Sequence, residues 1–203
     1  MSGWYSPFGK GLWFSLILRP DFPPVEAPKC TLMAAVALTK AFHKMGLTDA
    51  GIKWPNDILV NGRKLVGILT EMSGSMEEIS HIVMGIGVNV KTKQEELPEE
   101  LKLIATSLAM EDIDIERTEA FRLILEELEH QYYEVLDSGF DETLNEWRQL
   151  SVTLGEEIEV RAPGNTYEGA ATDIDEDGNL LVRIPDGTIK RIVAGDVSIR
   201  PRK

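Results

Sequence analysis

A chain of 203 residues, 43% of them hydrophobic, has enough material for one ordinary domain and a smaller one, and its composition is that of a packed protein. A net charge of −13 argues against nucleic-acid binding, which needs clustered lysine and arginine to displace counterions from phosphates. No apolar run is long enough for a membrane span, no signal peptide is evident, and the single Cys30 cannot form an internal disulfide, so a reducing, cytoplasmic setting is expected.

Leu12 to Leu18 is apolar and β-prone and reads as a central strand that stops at Arg19-Pro20. Asp21 to Pro28 is a proline-rich loop, and Pro28 can open a helix because its missing N–H is not needed there. Leu32, Val36, Ala37, Phe42 and Met45 recur at helical spacing, with Gly46 as the stop. Ile52 to Trp54 is a short strand broken by Pro55. Ile58 to Val60 and Lys64 to Leu69 flank Asn61-Gly62, a strong two-residue hairpin signal. Ile79 to Val90 is a further strand, and Glu95 to Glu100 a solvated acidic loop. Helices are expected over Thr118 to Leu136 and Asp141 to Leu150. From about Ser151 the texture changes to short β-branched segments: Glu157–Val160, Gly169–Ile174, Leu180–Ile184, Ile189–Val193 and Val197–Ile199. They are separated by the turns Pro163-Gly164-Asn165, Asp177-Gly178-Asn179 and Asp186-Gly187, which predicts a small barrel leaning on the first domain.

The polar residues Lys53, Asn56, Asp57 and Lys64, together with Gly62 and Gly67, are packed into a stretch that otherwise reads as strand. A hairpin needs none of these polar groups for stability, so their concentration points to a site that handles anions and protons on a rigid sheet. Gly85-Ile86-Gly87 is followed by strand-like Val88-Asn89-Val90 rather than by a helix, which speaks against a dinucleotide fingerprint. Glycine inside a strand is either a bulge or a floor on which a flat ligand lies against the backbone.

Lys53-Trp54-Pro55-Asn56-Asp57, then Gly62-Arg63-Lys64-Leu65-Val66-Gly67-Ile68-Leu69, then Gly85-Ile86-Gly87-Val88-Asn89 resemble the signature of the biotin–protein ligases, also called biotin–[acetyl-CoA-carboxylase] ligases. The start, Trp4-Tyr5-Ser6-Pro7-Phe8-Gly9 through Ser15, is similar to another stretch of that family, and residues 151–203 are similar to its C-terminal SH3-like barrel. The resemblance implies an α+β fold: a class II synthetase-like catalytic domain with a mixed β-sheet and packed helices over residues 1–150, then the barrel over 151–203. It also implies ATP- and Mg²⁺-dependent formation of biotinyl-5′-AMP and transfer of biotin to a lysine of a biotin carboxyl carrier protein domain. No nucleic-acid or membrane partner is implied, and a homodimer stays open.

The same resemblance assigns roles. Lys64 would stabilise charge on the α-phosphate and touch biotin. Asp57 would position and deprotonate the carrier lysine or help to hold Mg²⁺. Asn56 and Asn89 would hydrogen-bond adenine, with Trp4 stacked on it. Gly85 and Gly87 would let the biotin bicycle lie on the strand, with Gly67, Ile68 and Leu69 as apolar wall. Lys53 would support the site or meet the carrier, and Arg200 would reach the nucleotide or the carrier. The family places a Gly-Arg-Gly-Arg-x-Gly-Arg loop just before the tryptophan, whereas here only Met1-Ser2-Gly3 precedes Trp4. The expectation is therefore a chain missing its N-terminal portion, with weakened biotin binding and slow transfer. The alternative is a noncatalytic remnant that keeps a nucleotide- or carrier-binding surface.

Overall fold

The structure, a computed structural model, describes residues 5–75 and 77–199. Five strands, β1 (Gly11–Leu18), β2 (Ala50–Lys53), β3 (Asp57–Val60), β4 (Arg63–Gly74) and β5 (Ile79–Asn89), form a sheet in the order β1-β5-β4-β3-β2. The sheet expected to be mixed is antiparallel at all four of these pairings. The reason is local: β2 to β5 follow one another through short turns, which can join only antiparallel neighbours. Parallel pairing is confined to isolated bridges, Ile52 with Ser151 and Lys64 with Ala105. At the β3–β4 turn Asn61 and Gly62 both have positive φ (50° and 76°), the backbone that this hairpin turn demands.

Side chains alternate across the sheet. Val66, Ile68, Ile82, Met84, Ile86 and Val88 enter the core, joined by Leu12, Phe14 and Leu16 from β1. Helix α1 (Lys29–Lys44) starts directly after Pro28 and ends before Gly46, whose φ is +95°. It packs on the sheet and on both other helices, α2 (Arg117–Ser138) and α3 (Asp141–Leu150), which is why nearly its whole circumference is buried. Phe14 meets Phe121 of α2 edge to face, with ring centroids 4.9 Å apart. The acidic stretch read as loop contains two single 3-10 turns, Gln94–Glu96 and Glu99–Leu101. None of the described helices is long and apolar enough to cross a membrane.

The second sheet comprises β6 (Glu157–Ala162), β7 (Asn165–Ile174), β8 (Leu180–Arg183), β9 (Ile189–Ile192) and β10 (Asp196–Ile199), in the order β10-β6-β7-β8-β9. Asn165, expected in a turn, already belongs to β7. Strands β9 and β10 lie at opposite edges, so hydrogen bonding does not close the expected barrel among the described residues. Four chain steps from Ile192 to Asp196 cover at most roughly 14 Å. A flat sheet would separate those edges by about 19 Å. The sheet is therefore rolled, though not closed.

The two sheets are pinned together at Trp54. Its backbone N–H donates to Thr153 Oγ1 at 2.9 Å and its indole Nε1–H to the Gly178 carbonyl at 3.0 Å. Lys29 Nζ donates to the Glu176 carbonyl at 3.1 Å, and Arg148 Nε pairs with Asp173 at 2.8 Å. Trp54 is only 2% exposed, so both of its donors need these partners.

Candidate functional site

On the sheet face opposite the helices, register brings the glycines together. Gly87 lies between Trp13 and Gly67, and Gly85 between Ser15 and Leu69. Three adjacent positions without side chains leave a bare floor of main chain. Above it is a cavity of about 530 Å³, lined by Trp13, Ser15, Asn56, Lys64, Gly67, Leu69, Gly85 and Gly87, with Phe14, Ile68 and Ile86 beneath. Leu69 is 63% exposed and its side chain lines the cavity. Ile68, expected as apolar wall, has its side chain buried on the core face and contributes only main chain.

Lys64 reaches this face because of a β-bulge. Regular alternation would place residue 64 with Val66 and Ile68 on the core side. The register slips between Ile58 and Leu59, so that Ile58 faces Val66 while Leu59 faces Lys64, and Leu65 is the extra residue. Lys64 then turns toward the cavity, with its backbone held on both sides: its N–H donates to the Ile104 carbonyl at 2.8 Å, and its carbonyl accepts from Thr106 N–H at 2.9 Å. Its ammonium is 2.6 Å from Asp57 Oδ1, and the Lys53 ammonium is 3.5 Å from Asp57 Oδ2. The first contact is one of charge, since Asp57 Oδ1 has no hydrogen bond of good geometry. Two cations on one carboxylate leave one positive charge in excess at the end of the floor, which suits a carboxylate or phosphate ligand.

Asn56 is tied to β4: its Nδ2 donates to the Ile68 carbonyl at 2.8 Å, and its own carbonyl accepts from Ile68 N–H at 2.9 Å. It still lines the cavity. Asn89 Nδ2 donates to the Thr106 carbonyl at 2.9 Å, and Asn89 lies outside the cavity lining. Of the residues singled out in the sequence, Asn56, Lys64, Gly67, Ile68, Leu69, Gly85 and Gly87 thus converge on one cavity. Asp57 and Lys53 support Lys64 from beside it. Trp4 and Arg200 lie outside the described residues. Trp13 and Ser15 lie in the stretch that resembles the family, but the resemblance gives them no role. The alternation of β1 was visible, but which of its faces meets the glycines depends on pairing with β5, some seventy residues downstream.

A family model of the biotin/lipoate A/B protein ligase family matches residues 2–89, and one of the biotin protein ligase C-terminal domain matches residues 153–200. The bifunctional ligase/repressor BirA of Bacillus subtilis is 39% identical over 97% of this chain. The biotin–[acetyl-CoA-carboxylase] ligase of Paracoccus denitrificans is 32% identical over 91% of this chain and 78% of its own length. Among solved structures, the biotin protein ligase of Aquifex aeolicus in complex with biotin and ATP superposes with a TM-score of 0.81 at 28% identity, over 95% of this chain and 79% of that one. The chain spans 60% of the length of the Bacillus relative. On these matches the chain belongs to the biotin protein ligase family.

Proposed function

We propose that this chain carries the biotin- and nucleotide-handling site of an ATP-dependent ligase that forms biotinyl-5′-AMP and passes biotin to a lysine of a carrier protein domain. The observation that carries the reading is the glycine floor with the Lys64 ammonium at its end. A flat bicyclic ring can lie against bare strand backbone at Gly85 and Gly87, and its carboxylate then points toward the excess positive charge. The Aquifex relative, whose solved complex holds biotin and ATP, supports both ligands.

In the first step an oxygen of the biotin carboxylate forms a bond to the α-phosphorus of ATP and pyrophosphate leaves. Negative charge gathers on the α-phosphate oxygens. Lys64, its main chain fixed by bonds on both sides, stabilises that charge with only its side chain moving. Turning toward the phosphate takes its ammonium away from Asp57 Oδ1. In the second step the carrier lysine amine attacks the carbonyl carbon of the mixed anhydride, and AMP leaves. The amine must be neutral to attack, and the released Asp57 oxygen can orient it and accept its proton. Lys53 stays beside the other carboxylate oxygen and holds Asp57 in place. Asn56 serves the nucleotide from the cavity wall, and Asn89 from the end of β5.

Among the described residues no group of three or more His, Cys, Asp or Glu side chains is placed to hold a metal ion. Asp57 is already shared by two ammonium groups, so it is a poor magnesium ligand. In this reading magnesium would arrive bound to the phosphates of the nucleotide. Residues 1–150 are the catalytic unit in this reading and 151–203 the C-terminal SH3-like unit, in a cytoplasmic protein. Calorimetric titration with biotin, ATP and a non-hydrolysable analogue of biotinyl-5′-AMP tests the proposal. The analogue should bind the wild-type chain and lose affinity on Lys64→Ala. A wild-type chain that binds none of the three overturns it.

A further inference from the structure

Lys64 and Asn89 come from different strands, yet both are fastened to the same short segment, Ile104–Thr106. The Lys64 backbone bonds to Ile104 and Thr106, and the Asn89 amide donates to the Thr106 carbonyl. That segment lies outside the regular sheet; the Ile104 and Ala105 N–H groups donate to the Leu101 carbonyl, and a side chain ties down its Thr106 end. One carboxylate oxygen, Glu111 Oε1, accepts a hydrogen bond from the Thr106 hydroxyl and contacts Arg63 Nη2 at 2.7 Å. The Glu111 side chain is 9% exposed, and Arg63 is the residue immediately before Lys64. A charged hydrogen-bond acceptor this far from water is anchored more firmly than a surface pair.

We infer that Glu111 is a positioning residue for the ligase site, bracing Lys64 and Asn89 against each other through Arg63 and Thr106. The inference rests on the proposed roles of Lys64 and Asn89. Neither the cavity lining nor the strand motifs include Glu111. Its effect is transmitted by two hydrogen bonds: one through the Thr106 hydroxyl to the carbonyl that holds Asn89, the other through Arg63 to the start of β4.

The test is NMR of the whole chain, with the Asn89 side-chain amide as reporter and AMP as probe. Two near-isosteric variants keep the main-chain bonds: Glu111→Gln removes the charge, and Thr106→Val removes the hydroxyl. In both, the Asn89 amide signals should shift and exchange faster with solvent, and AMP affinity should fall about tenfold, the scale of one charge-assisted hydrogen bond. Thr106→Ser, which keeps the hydroxyl, should restore both readouts to wild type. Generally weakened packing would not be rescued in this way. Unmoved Asn89 signals in folded Glu111→Gln and Thr106→Val protein overturn the brace. Absence of AMP binding by the wild type counts against the nucleotide role, while the Asn89 signals still judge the brace.

Discussion

Gly85→Ala separates the ligand floor from the fold. A Cβ built at Gly85 comes no closer than 3.6 Å to the Leu69 carbonyl oxygen and 4.0 Å to Leu69 Cβ, ordinary contacts that strain nothing. Gly85 does not have the positive φ that would penalise alanine. The substitution should therefore leave the protein as stable or more so, by about 0.4–1 kcal/mol through the unfolded chain. For a chain of this length that raises the melting temperature by roughly 1–4 °C. The new methyl stands in the cavity, where a ring lying on the backbone has no room for it. Overpacking of this kind costs about 1–3 kcal/mol, a loss of roughly 5- to 150-fold in affinity. Gly85→Leu should abolish binding. Calorimetric titration with the non-hydrolysable adenylate analogue, paired with a thermal melt, reads both quantities. If both variants melt as the wild type does and bind the analogue equally well, biotin does not lie on this floor.

Lys64→Ala should slow adenylate formation about 100-fold or more, as expected for one preorganised charge, with little change in melting because Lys53 still faces Asp57; pyrophosphate exchange and a melt report this, and a collapsed melting temperature would make Lys64 structural. Trp54→Phe leaves the Gly178 carbonyl without its donor, costing about 1–3 kcal/mol and lowering the melting temperature by roughly 5 °C; an unchanged melt refutes the pinning role of the indole N–H. Burial, and secondarily the Glu26 carboxylate, push the Cys30 thiol up to about 12, so a thiol reagent at pH 8 should label it only after unfolding. The same shift sets a sign. The unfolded thiol ionises near 9.0 and the folded one near 12, so the contribution of Cys30 to stability is constant below pH 9 and falls between them, where the unfolded chain sheds its proton first. A Cys30→Ala variant should lose that part of the alkaline decline in urea titrations.

What the sequence disclosed was local chemistry. Asn61-Gly62 dictated its turn, Pro28 and Gly46 bracketed α1, and the bounds of α3 could be read residue for residue. The glycines and Lys64 stood out because strands do not need them. Hidden were the features decided by partners far along the chain. The bulge at Leu65 has no residue of its own that announces it, since a leucine suits either face, yet it decides which way Lys64 points. Asn89 read as a ligand contact, while its amide already serves Thr106, a bond that only the packing of the 104–106 segment creates. The closed barrel was inferred from strand count, whereas closure depends on whether β9 and β10 meet.

The two bonds of Trp54 bear on how the chain is made. Its partners Thr153 and Gly178 follow it by 99 and 124 residues. During synthesis, the strand and glycine floor can assemble once β5 has emerged, but the segment leading into Asn56 and Asp57 still lacks both acceptors. A nascent chain that has not yet delivered β7 and its following turn holds an indole N–H that must be solvated, so the tryptophan cannot sink to its final depth. The cavity's surroundings are thus completed last, by residues that follow every residue of its lining in the chain. A message cut short after α3 would give a protein with every residue of the cavity and no settled place for its central motif.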